Sequence, residues 1–381
     1  MPRTALSSRD ARVRRRVSIA VGSWLALGDG AIGCRAADDA PPTARDSGAA
    51  TIARDAGATP GEQDAGAGLA YGCSGVTADD GRPPICNVAH YAFRVGDFET
   101  AKAFYGDFLG LAEPFPVVTD DGGVPVAVYK INDSQFIELY EEPPPPGDTN
   151  YQLKDIAFYT SDAEALRKYF GARGVAVPSA VSKNVLGNTS FTILDQDQHP
   201  IEWVQYEPGS LTGTTVGTAM PATRIGSSVH HLGVTIQSPS AASAFYQTLG
   251  FLPSRTGPSA PLPADKQAEE DPDSTVRLEY GVSPSGPPSA AFAVVRDHLC
   301  LRVADTLDAV RTLNARNPAI YVEHHVLDGF TVRANTYDPN GSRIELADSI
   351  LEFDGGETTN PVETGDLDSG ANDDAAFMST Y

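Results

Sequence analysis

The sequence predicts an α+β fold made of four tandem βαβββ modules. Three observations carry this reading. A strand followed by a capped helix recurs four times, alternating apolar segments close each unit, and a first-strand residue stands at a near-constant distance from a later strand-borne glutamate. At 381 residues the chain is too long for one compact core and suits two domains. Its apolar content of 41% is ordinary for a protein with a real core, and a net charge of -22 argues against nucleic acid or an anionic membrane surface as partner.

The first 34 residues read as a targeting segment. Arg12, Arg14, Arg15 and Arg16 precede an apolar run from Val17 to Leu27, which is too short to span a bilayer but fits the apolar region of an export signal. Arg15-Arg16-Val17-Ser18-Ile19 is similar to a twin-arginine signal. Ala31-Ile32-Gly33-Cys34 resembles a bacterial lipoprotein cleavage box, which implies lipidation of Cys34 and a periplasmic, outer-membrane or cell-surface location. Residues 35–86 form a tether rich in Ala, Gly, Asp and Pro that cannot bury enough apolar surface to order itself. It ends in a Gly/Asp/Pro-rich loop flanked by Cys73 and Cys86. In an oxidising compartment these are the natural disulfide pair, worth about 3 kcal/mol if unstrained. At the other end, residues 351–381 carry an acidic stretch without Lys or Arg from Asp354 onward, a solvated tail.

Between these ends the chain repeats itself. Asn87 to Asp97 followed by Ala103-Phe104-Tyr105 parallels Ser228 to Ser238 followed by Ala244-Phe245-Tyr246, with a common offset of 141. Residues 153–174 and 296–314 follow the same plan. The equivalent first-strand positions are His90, Asp155, His231 and His298. Seven residues after each stands Asp97, Asp162, Ser238 or Asp305, all side chains able to cap a helix N-terminus. The closing strands include Val124–Ile131 and Gln135–Tyr140 around an Asn132-Asp133-Ser134 turn. In the last module, Asp338-Pro339-Asn340-Gly341 has the Pro and Gly positions of a type I turn leading into Ser342–Leu346. The first domain is thus expected at 87–208, a Gly/Thr-rich linker at 209–226, and the second domain at 227–350.

Counting forward from each first-strand residue reaches Glu138, Glu202, Glu279 and Glu345 after 48, 47, 48 and 47 residues. With the phrases Ala-Phe-Tyr…Leu-Gly and Asp-Pro-Asn-Gly-Ser-Arg-Ile-Glu-Leu, this pattern resembles the vicinal-oxygen-chelate superfamily of glyoxalases, bleomycin-resistance proteins and extradiol dioxygenases, over residues 87–350. The resemblance implies that modules pair into two curled mixed-sheet domains, with metal ligands on the first and last strands of each module. Pairing in chain order, or crossed so that module one joins four and two joins three, both remain open. The crossed form would unite His90, Glu138, His298 and Glu345.

Two imidazoles and one or two carboxylates suit Fe(II) or Mn(II), alternatively Zn, Ni or Co. The resemblance implies His231, His298 and Glu345 as a two-His-one-carboxylate set, with Glu279 completing a two-His-two-Glu set. Residues 252–274 form an acidic, Pro-rich insertion, so Thr275–Tyr280 reads as either the third or the fourth strand of its module. A second site, His90, Glu138, Asp155 and Glu202, suits Mn(II), Zn(II) or Ca(II). His230, next to a ligand position in a strand, should face outward. Cys300 reads as a buried thiol. His324, His325 and Tyr337 are candidates to support the chemistry, with His325 and Tyr337 in catalytic roles. The chain departs from the dioxygenase pattern at Asn335, where that family has a tyrosine.

Three functions follow from the resemblance. The first is an extradiol, ring-cleaving dioxygenase acting on a small substrate with vicinal oxygens. The second is a glyoxalase-type lyase or isomerase that uses Glu279. The third is a non-catalytic small-molecule-binding surface protein. The expected assembly is a monomer or homodimer that meets the membrane only through its lipid anchor.

Overall fold

The computed structural model describes residues 81–143, 152–253, 268–270, 276–282, 297–327 and 331–348. The leader, Cys34, residues 35–80 of the tether, Cys73 and the acidic tail lie outside the described residues, and with Cys73 so does the expected disulfide; the last tether residues, Ile85 and Cys86, are instead buried in the first strand. The chain begins with β1 (Ile85–Val95), α1 (Phe98–Lys102) prolonged by a π-helical turn (Ala103–Phe108), β2 (Val118–Thr119), β3 (Pro125–Asn132) and β4 (Gln135–Glu141). There follow β5 (Leu153–Thr160), α2 (Ala163–Ala172), β6 (Ser182–Lys183), β7 (Thr189–Leu194) and β8 (Pro200–Gln205). The third stretch is β9 (Ser228–Ile236), α3 (Pro239–Leu249), β10 (Leu252–Pro253), β11 (Ala268–Glu270) and β12 (Arg277–Val282). The fourth is β13 (His298–Arg302), α4 (Thr306–Arg316), β14 (Val322–Leu327), β15 (Thr331–Tyr337) and β16 (Arg343–Ala347).

Each helix starts where the sequence places it. The side chains of Asp97, Asp162, Ser238 and Asp305 accept from the backbone N–H three residues on, satisfying a donor the helix itself leaves unpaired. Apolar residues at helical spacing, such as Ala163, Leu166 and Phe170 in α2, then turn one face inward. The helices serve as crossovers, because β1 runs parallel to β4, β5 to β8, β9 to β12 and β13 to β16, and parallel neighbours cannot be joined by a tight turn.

The result is two eight-stranded mixed sheets of identical order, β2-β3-β4-β1-β5-β8-β7-β6 and β10-β11-β12-β9-β13-β16-β15-β14. The central seams, β1 against β5 and β9 against β13, are antiparallel. Sheet pairing therefore follows chain order, and the crossed arrangement builds neither sheet. Crossed contacts exist, but between the sheets. Tyr105 donates to Asp338 at 3.0 Å and Tyr246 donates to Asp195 at 3.1 Å. Likewise the Gly96 N–H reaches Asn340 and the Gln237 N–H reaches Asp197. One apolar core runs through both sheets, from Tyr91, Phe104 and Trp203 to Leu232, Leu299 and Leu346. The linker packs closely too: the buried Lys130 ammonium donates to the Thr215 and Thr218 carbonyls and pairs with Asp133 at 2.6 Å.

Tyr105 and Tyr246 each satisfy a buried turn carboxylate that would otherwise lack this donor. Tyr105→Phe and Tyr246→Phe should each destabilise the fold by about 1–3 kcal/mol in denaturant unfolding. The two sites share no partner, so the double variant should show additive losses. A loss below about 0.5 kcal/mol at both would show that these bonds do not join the sheets.

Candidate metal centre

The second sheet brings four predicted side chains onto one face. In its register His231 lies opposite Cys300, His298 opposite Gly233, Glu279 beside Gly233 and Glu345 beside Cys300. The His231 and His298 Nε2 atoms are 2.9 Å apart. Glu279 Oε2 and Glu345 Oε1 lie 3.6 and 3.5 Å from His231 Nε2, and Glu345 Oε2 is 3.6 Å from His298 Nε2. Ligands about 2.1 Å from one ion sit about 3.0 Å apart at right angles and about 3.4 Å apart at the tetrahedral angle. The observed spread fits both, and Glu345 Oε1 is buried and accepts no hydrogen bond. The donor set therefore fits a divalent metal. Glu279 belongs to β12, beside β9, which makes it the last strand of its stretch despite the insertion before it.

Space for this arrangement comes from Gly233, which sequence reasoning did not single out. A Cβ there would lie 2.0 Å from His298 Cε1 and 2.1 Å from Nδ1, so the imidazole lies directly over the missing side chain. Burial pushes the pKa of His231 and of His298 down to about 3, which leaves both rings neutral and available as ligands. Burial would raise Glu345, but the two imidazoles and the guanidiniums of Arg343 and Arg333 hold it well below the usual carboxylate range. Arg333 contacts Glu345 at 3.1 Å and Glu279 at 3.4 Å, while Arg343 pairs with Glu345. Both arginines were missed. Their signal was alternation: Arg343 is two residues before Glu345 on one strand, and hence on the same face.

His230 is buried, contrary to the outward position expected from alternation. The register slips at this point, with Cys300 opposite His231 and Leu301 opposite Val229, so a bulge breaks the period of two. His230 Nδ1 consequently comes 2.7 Å from His231 Nδ1, and His230, His231 and the fully buried thiol Cys300 form a second group of donor atoms behind the ligand face. Tyr337 is half-buried and donates to Glu323 at 3.4 Å, while Asn335 donates to the same carboxylate. His324 is exposed, and the His325 side chain lies outside the described residues.

The first sheet repeats the design with different charges. His90 Nε2 is 2.9 Å from Asp155 and 3.4 Å from Glu202, whereas Glu138 contacts the opposite ring nitrogen at 3.2 Å and accepts from Tyr140. Glu138 thus backs the imidazole, and His90, Asp155 and Glu202 form a group that could hold a metal ion. Asp155 stands opposite Ala92, whose methyl fills the space that Gly233 leaves open in the other sheet. A cavity of about 250 Å³, lined by Glu138, Tyr140, Asp155, Asn184 and Glu202 among others, opens onto this cluster. Burial alone would lower His90, but Glu138, Asp155 and Glu202 hold it protonated up to about 10. Burial likewise lifts Glu138 to about 7.

Residues 87–203, which span the first sheet, match the model of the Glyoxalase/Bleomycin resistance protein/Dioxygenase superfamily. No curated protein matches the sequence. Among solved structures, the 2,3-dioxygenase LapB from Pseudomonas sp. KL28 is similar at 15% identity and a TM-score of 0.51, over 70% of this chain and 93% of its own. The Mn(II)-bound glyoxalase from Novosphingobium aromaticivorans is similar at 17% identity and 0.51, over 70% and 83%. Homoprotocatechuate 2,3-dioxygenase from Arthrobacter globiformis is similar at 15% and 0.51, over 70% and 81%. At such identities these likenesses establish the fold alone.

Two predictions follow from the geometry. Gly233→Ala should displace the His298 ring and weaken Mn(II) binding to the second cluster by about tenfold or more, with the circular dichroism of the fold retained. Undiminished affinity would show that His298 is not a ligand. Loading the first cluster must expel the His90 proton and part of one on Glu138, so its affinity should climb by up to about tenfold per pH unit and proton from about pH 6 to about pH 9. Loading the second, whose imidazoles are already neutral, should vary little over that range. Mn(II) titrations of His90→Ala and His298→Ala separate the two slopes; equal slopes would refute the assigned protonation states.

Proposed function

We propose that this chain is a metal-dependent enzyme of the vicinal-oxygen-chelate superfamily, built of four modules and acting on a small substrate with vicinal oxygens in the manner of a ring-cleaving dioxygenase. The convergence of His231, His298 and Glu345 from three strands onto one buried face carries the proposal. These residues would hold Fe(II) or Mn(II), which supplies open positions for two substrate oxygens and stabilises the negative charge that develops on them. The chain contributes the rest. Neutral imidazoles leave the binding face free of competing protons, burial excludes water, and Tyr337, on the strand beside that of Glu345, would turn its hydroxyl from Glu323 to orient a bound oxygen. The dioxygenases that share the fold are consistent with this reading.

One observation favours a second reading. Glu279 reaches within 3.6 Å of His231, close enough to complete a two-His-two-Glu site of glyoxalase type. Against it, the Glu279 side chain is 29% exposed where that of Glu345 is 1% exposed, and Arg333 holds it at the rim.

Anaerobically purified protein should contain Fe or Mn by elemental analysis. The Fe(II)-loaded protein should convert a simple catechol and oxygen to a yellow ring-opened product, and Glu279→Gln should leave metal content nearly unchanged. Tightly held Ni or Zn, with a loss of about tenfold in affinity for Glu279→Gln, would transfer the assignment to the lyase.

A further inference from the structure

The two clusters neutralise their carboxylates in different ways. In the first, among the described residues, no Arg or Lys reaches Glu138, Asp155 or Glu202; His90, Tyr140, Asn184 and Ser190 are their polar partners. In the second, Glu279 and Glu345 face Arg333 and Arg343. The second cluster is thus already balanced, two carboxylates against two guanidiniums. A divalent cation entering it would leave two positive charges uncompensated in a largely buried place, a costly state unless an anion follows.

Arg333 is suited to receive one. Among the described residues its buried Nε has no hydrogen-bond partner, so one edge of the planar fork is unused. Among the described residues its other nitrogens reach Glu345 at 3.1 Å and donate to Glu279 at 3.4 Å, both long for charge-assisted bonds and readily exchanged. Arg343 is steadied by donating from Nε to Asn335 at 2.8 Å, which keeps its terminal nitrogens on the ligand face. A guanidinium fork matches a carboxylate, two bonds to two oxygens.

We propose that Arg333 and Arg343 form an anion subsite beside the metal face, so that the ligand of this site carries a carboxylate in addition to its vicinal oxygens. Metal and carboxylate then bind cooperatively. In the empty site Arg333 and Arg343 both contact Glu345; when metal takes the Glu345 oxygens, the guanidiniums pass to the carboxylate of the ligand. Linkage makes the effect reciprocal. This rests on the metal reading of His231, His298 and Glu345 given above.

The test uses the full chain carrying Asp155→Asn or, separately, His90→Ala to silence the first cluster. Mn(II) affinity is measured alone, with catechol, and with 3,4-dihydroxybenzoate. The carboxylated probe should strengthen Mn(II) binding at least about fivefold more than catechol does. Arg333→Gln should tighten Mn(II) binding without any probe, because a competing cation is gone, and should erase the difference between the probes; Arg343→Gln should act in the same direction. An arginine that merely props up the fold would weaken Mn(II) binding when replaced. That result, or equal enhancement by both probes, overturns the subsite while leaving the metal reading intact. Mn(II) binding that ignores His298→Ala overturns both.

Discussion

Burying charge at the seam of a curled sheet is the constraint on which both clusters depend. Each seam is antiparallel, β1 against β5 and β9 against β13, and each seam strand has a parallel neighbour that delivers a glutamate to the same face. Four short, inflexible strand segments therefore fix four polar side chains within a few ångströms, with little conformational freedom to lose when an ion binds. The cost is desolvation, and every other polar feature nearby answers it. A buried carboxylate must find a proton, a cation or a donor. The first cluster finds protons, on His90 and partly on Glu138. The second finds arginines.

Why one seam holds a second histidine and the other an aspartate is a matter of volume. The residue opposite His298 is Gly233, and the ring occupies the place of a Cβ. The residue opposite Asp155 is Ala92, one methyl larger, and the shorter aspartate fits over it. The two choices are coupled across the strand pair: an imidazole at 155 needs glycine at 92. Net charge then follows. Replacing a neutral ligand by an anionic one removes any use for a nearby arginine, and raises His90 by supplying a carboxylate at 2.9 Å.

Much of this was legible because it is local or periodic. Helix caps are read from single residues, and all four expected caps bond the donor three residues on. The 47–48-residue spacing located four glutamates, two on the strands beside each seam, since a crossover of fixed length returns the chain to fixed register. What stayed hidden depends on register between segments far apart in sequence. The bulge that buries His230 exists only in the pairing of β9 with β13. Glu138 differs from its equivalents through which ring nitrogen it meets, a distinction no spacing encodes. Pairing order was undecidable from the repeat because all four modules look alike. The fold resolves it by using both relations, sequential pairing within sheets and crossed contacts between them.

Those crossed contacts bear on why an electrically different first cluster is compatible with the second. Asp338 turns the chain into β16, which carries Glu345, and it is held by Tyr105 from the first half of the chain. Asp195 turns the chain toward β8, which carries Glu202, and it is held by Tyr246 from the second half. Both of these glutamate-bearing strands are therefore anchored by the other sheet, and one apolar core is shared between the sheets. An oxygen-rich face at His90, Asp155 and Glu202 suits a hard cation, and a nitrogen-rich face at His231 and His298 suits a borderline one. Each face thus includes a glutamate whose strand is reached through a turn that the opposite sheet holds in place, while the charges of the two clusters are balanced separately.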